Sequence, residues 1–336
     1  MNLRATNHKL PRWGLGFVTL LATLIVGSAW IFLDRPRSAL RSSPKITYAA
    51  QSVTNIFHEL ASDKMNVPIR FETVLERLRV ADPLLSPDLQ GQLLSYLRHP
   101  TAPEDLGDPR AEYFNGLIGL ALAQHPLPDS LASLLIEISE DPKISPTLRD
   151  YTTQHFYHLW LLETRTDVRS KLEKRLQQMC ADSSLSFQAT SLLTASRLIN
   201  SEVEEKGPEG QILKRVSMIS SSGAAERNKL QILKREDLVQ LCLDIVRSTA
   251  VPPVRLTAFQ VLNTCRALQA LPLARQCLSD STQPEGVRCA AIALIGSLGA
   301  AELDVIPLQS LLPTRSTVLE LAIVGAVRKL KLPTNQ

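Results

Sequence analysis

The sequence predicts an all-α protein, and three observations carry that expectation. Apolar residues recur at i, i+3, i+4 and i+7 along most of the chain, the spacing that gives a helix one apolar stripe. Prolines stand mainly between these stripes, at Pro68, Pro83, Pro87, Pro100, Pro103, Pro126, Pro128, Pro142, Pro146, Pro252, Pro253, Pro272, Pro284, Pro307 and Pro313; proline suits first turns and joints but disrupts helix interiors. Alternating strand patterns and hairpin dipeptides are nearly absent, and Asn115-Gly116 lies inside a helical pattern.

In chain order, residues 1–12 form a basic tail and residues 13–33, WGLGFVTLLATLIVGSAWIFL, an uncharged run. About 20 apolar residues cross a hydrocarbon core of about 30 Å as a helix, and Trp13, Trp30 and Leu33 mark its ends, where indoles favour the membrane–water boundary. The expectation is a single transmembrane helix, with a lipid bilayer as one partner. Gly27-Ser28-Ala29 leaves a cleaved signal peptide open, and a buried soluble helix is the third reading. The short cationic tail argues for a helical domain on the non-cytoplasmic side of a single-pass membrane protein, while the cysteines argue weakly for the other side. Residues 34–47, DRPRSALRSSPKIT, read as a basic Pro/Ser linker.

Charge follows the same division. Residues 1–45 hold Arg4, Lys9, Arg12, Arg35, Arg37, Arg41 and Lys45 against Asp34; removing these from totals of 37 basic and 33 acidic residues leaves 30 and 32. A nucleic-acid binder concentrates positive charge on its folded domain, so nucleic acid is not expected as a partner.

From residue 48 to 336 the reading is one helical repeat domain. Stripes run through Val53, Ile56, Phe57 and Leu60; Phe71, Val74, Leu75 and Leu78; Leu131, Leu134, Leu135 and Ile138; and Leu238, Leu241, Cys242 and Ile245. Aligning the joints makes Pro109, Leu148, Phe187, Val254, Val287 and Val318 equivalent, with steps of 39, 39, 67, 33 and 31, the long step counting as about two units. Periods in the thirties mark helix pairs that stack, because one pair cannot bury its own apolar face. Residues 200–236 fit no unit well and read as an irregular insert or a divergent repeat; they hold an acidic, breaker-rich stretch and two copies of QILKR, at 211–215 and 231–235. Residues 289–300, CAAIALIGSLGA, are apolar on every face and suit a central helix buried by both neighbours.

These units resemble HEAT repeats, of the armadillo-type superfamily of α-solenoids. The likeness rests on a turn rich in aspartate and proline, then an apolar residue, an arginine and an alanine-rich helix, over roughly residues 105–200 and 250–331. It implies a right-handed α-solenoid of helix pairs and an aspartate–arginine ladder between neighbouring units. That role is carried over to Asp141 with Arg149 and Asp280 with Arg288, which share an eight-residue spacing, and a structural role is expected of Arg255 as well. Gln188 and Leu319 depart from the pattern, standing where arginine is expected.

Chemistry is thin. His155 and His158 sit at i,i+3, a spacing two metal ligands can use, but no carboxylate or cysteine nearby completes a shell. His58-Glu59 lacks the second histidine of a zinc-protease helix, and no nucleophile elbow, phosphate loop or dinucleotide fingerprint occurs. Glu202, Glu204 and Glu205 read as a solvated charge run. Cys180, Cys242, Cys265, Cys277 and Cys289 are odd in number, without a CxxC pair, and read as small buried hydrophobes. The expectation is a membrane-anchored, non-enzymatic scaffold that docks a protein partner, with no cofactor, metal or small-molecule substrate. An enzyme with a site assembled from distant residues, or a structural subunit of a membrane complex, are the alternatives.

Overall fold

The computed structural model describes residues 85–100, 109–201 and 232–331. Among them are twelve α-helices, one short 3-10 turn and no strand. The helices are α1 Pro87–Arg98, α2 Pro109–Leu122, α3 Leu131–Glu140, α4 Pro146–Leu162, α5 Thr166–Ala181, α6 Gln188–Ser201, α7 Arg235–Arg247, α8 Pro252–Thr264, α9 Leu271–Ser279, α10 Glu285–Leu298, α11 Ala301–Gln309 and α12 Thr317–Lys331.

Proline opens α1, α2, α4 and α8, where its fixed φ is already helical and its missing N–H costs nothing. Ser86 adds a side-chain cap to α1, accepting from the Leu89 amide at 3.4 Å. Each odd-numbered helix packs on the even-numbered helix after it, from α1 on α2 to α11 on α12. The even-numbered helices also pack on one another in unbroken series, α2, α4, α6, α8, α10 and α12, while α1, α3 and α5 adjoin in a second row. Leu117, Ile118, Phe156, Trp160, Leu192, Ala195, Phe259, Leu262, Ile292, Ile295 and Ile323 line the series, none more than 1% exposed. Burying each large apolar side chain contributes about 1.5–3 kcal/mol, so neighbouring helices hold each other in place.

The six aligned positions fall at the starts of the six even-numbered helices. Leu148, Phe187, Val254 and Val287 are buried there, but in the last pair Leu319 is buried and Val318 is 61% exposed, so the register differs by one. The long step also differs from expectation. Helix α6 packs directly on α8, so the 67-residue interval joins neighbours in the even series, and residues 202–231 lie outside the described residues.

Single-pass membrane localisation is corrected by the structure: no helix among the described residues is long and apolar enough to cross a membrane. The longest, α4, has 17 residues. That is about 25 Å of rise against a core of about 30 Å, and the helix carries Arg149, Asp150, His155 and His158. Segment 13–33, with Trp13, Trp30 and Leu33, lies outside the described residues, as do the linker 34–47 and residues 48–84.

Candidate functional site

The expected ladder residues are present but placed differently. Asp141 turns back on its own loop and accepts from the Lys143 amide at 2.8 Å. Arg149 donates from Nε and Nη2 to the Ser139 carbonyl at 3.1 and 3.0 Å. It therefore caps the C-terminal end of α3, where carbonyls lack helical partners and cations are favoured. Arg175 of α5 reaches the same carbonyl at 2.6 Å and the Ser139 hydroxyl at 2.9 Å. Gln188, standing where arginine was expected, does the same work one pair later by donating to the Cys180 carbonyl at the end of α5, at 2.8 Å.

Charge, by contrast, reaches from Arg149 and Arg255 to the aspartate one pair further on. Asp182 is held below the usual carboxylate range first by Ser184 hydrogen bonds, with Arg175 and Arg149 contributing. Asp280 is lowered first by Gln283 and Thr282, with Arg255 contributing. The Nε atoms of Arg255 and Arg288 are buried without a hydrogen-bond partner. Asp141 and Asp280 instead bond within their own turns, to Lys143 and to Thr282 and Gln283.

One polar cluster lies across α2, α4 and α6. His155 Nε2 is 2.6 Å from the Asn115 oxygen, which makes Nε2 the protonated nitrogen and leaves Nδ1 as acceptor. The ring centroid of His155 is 6.4 Å from that of His158, which meets Tyr157 edge-on at 5.1 Å, and the Arg197 guanidinium lies 4.5 Å from the Tyr157 ring centre. Burial, with His158 second, pushes His155 down to about 3. Burial and then Arg197 push His158 down to about 4. Both rings are neutral at neutral pH. On the same helix burial pushes the Asp150 carboxyl up to about 6, opposed by hydrogen bonds to Thr190 and Gln154. These groups, with Leu193 at 39% exposure, make a patch of polar and aromatic tips over an apolar layer.

A second constellation escaped sequence reasoning. Glu173 of α5, 1% exposed, accepts from Trp160 Nε1 at 2.9 Å and from the amides of Ile232 and Leu233 at 2.7 and 3.2 Å. It fixes the segment that leads into α7. Arg169 stacks 3.5 Å over the Trp160 ring. No spacing rule links residues about 60 apart, so only a glutamate inside an otherwise apolar stripe could have hinted at it. Elsewhere, α3 and α5 leave an open groove of about 360 Å³ lined by both signs, Glu137 and Glu140 against Lys171, Lys174 and Arg175.

No group of three or more His, Cys, Asp or Glu residues among the described residues could hold a metal ion. Cys180, Cys242, Cys265 and Cys277 are buried and Cys289 is half-buried, all free; burial pushes their thiols up, away from the reactive thiolate. His58, Glu59 and the run Glu202, Glu204 and Glu205 lie outside the described residues.

No known protein family matches the chain, and no curated protein matches it. Among solved structures, human deoxyhypusine hydroxylase in complex with glycerol is similar at a TM-score of 0.30 and 14% identity, over 83% of this chain and 96% of that one.

Proposed function

We propose that this chain is a non-enzymatic docking scaffold, a HEAT-like right-handed α-solenoid that holds a protein partner along its even-numbered helices. One observation carries the reading: α2 to α12 pack as a continuous series, and the polar patch of Asn115, Asp150, His155, His158, Leu193 and Arg197 spans three of them. Affinity on such a surface comes from side chains spread over several repeats, with aromatic and arginine tips as anchors. The polar groups of the patch engage one another, His155 with Asn115 and Arg197 with Tyr157, which supports a binding face over a reaction centre.

The test is affinity purification of the full chain under gentle conditions, beside a Leu193→Asp variant and an Arg197→Ala variant. The expected result is a stoichiometric partner on the parent chain and its loss on both variants, with melting temperature shifted by no more than a few degrees. A partner retained equally by all three would remove this face from the proposal. Recovery of no stoichiometric partner would remove the docking function itself.

A further inference from the structure

We draw no further inference here: the strongest candidate, the aliphatic surface patch of Leu303 and Ile306 on α11 with Val318, Leu321 and Val324 on α12, carries nothing because nothing in the structure shows what covers it.

Discussion

At the scale of single residues, Arg149 is a helix cap, whereas the other arginines expected in the ladder are not. Arg149 gives two hydrogen bonds to one carbonyl, while Arg288 keeps a buried Nε without any. The two therefore separate on mutation. Arg149→Met should cost about 1.5–3 kcal/mol, the range for hydrogen bonds from charged groups, whereas Arg288→Met should cost less than about 1 kcal/mol, since no bond is lost. Chemical denaturation reads both, and equal losses would mean that the arginine stem rather than its head carries the stability. The histidines predict a pH dependence. His155 and His158 have folded values of about 3 and about 4, below the unfolded value of about 6.5. The unfolded chain thus takes up protons first, and the stability they contribute is full above about pH 6.5 and declines as pH falls toward 4. Asp150, raised to about 6, works the other way: its contribution is full below about pH 4 and is lost as pH rises through 6. Stability should therefore fall between pH 6.5 and 4, by up to about 1.4 kcal/mol per pH unit for each proton involved. Asp150→Asn should steepen that fall. A flat profile from pH 4 to 7 in the asparagine variant would show the imidazoles to be more hydrated than this geometry implies.

At the scale of elements, period and punctuation made the fold class legible. Apolar stripes marked the helices, proline marked their starts, and the aligned joints found the beginnings of α2, α4, α6, α8, α10 and α12. What could not be read was which surface of each helix meets which neighbour. The run 289–300 looked apolar all round and so buried all round. In the structure α10 turns Ala293 outward and buries Gly296 against α12, because small apolar residues tolerate water well enough to sit on either side. A Cβ at Gly296 would lie 2.7 Å from the Ala326 Cα, whereas a Cβ at Gly119 would touch nothing within 4 Å. Gly296→Ala should therefore destabilise by about 1–3 kcal/mol, since backbone must move. Gly119→Ala, inside α2, should stabilise by about 0.5–1 kcal/mol through helix propensity. Opposite signs in thermal melts are the expected signature. A neutral Gly296→Ala would show that α10 and α12 slide apart more freely than their packing suggests.

At the scale of the whole array, order along the chain and order in space coincide almost everywhere, which is why a one-dimensional reading recovered so much. The exceptions are long connections: α6 meets α8 across 202–231, and Glu173 fastens residues 232 and 233 to α5. The polar patch was equally hard to foresee, since His155 was visible but its partner Asn115, 40 residues away on α2, was not. Contacts confined to neighbours also govern how the array fails. When each helix pair touches only the next, stability is a sum of local terms and interfaces, and the end of the stack opens before its middle. Ile323 of α12 is fully buried against that end of the series, so Ile323→Ala should cost about 2–5 kcal/mol through lost burial and the cavity left behind. The cost should be felt locally. Native-state hydrogen exchange should quicken in α11 and α12, reach α10 weakly, and leave α2 and α4 unchanged. Uniform acceleration from α2 to α12 would instead mean that the array folds as a single cooperative unit, with the even-numbered helices forming one shared core rather than a chain of pairwise interfaces.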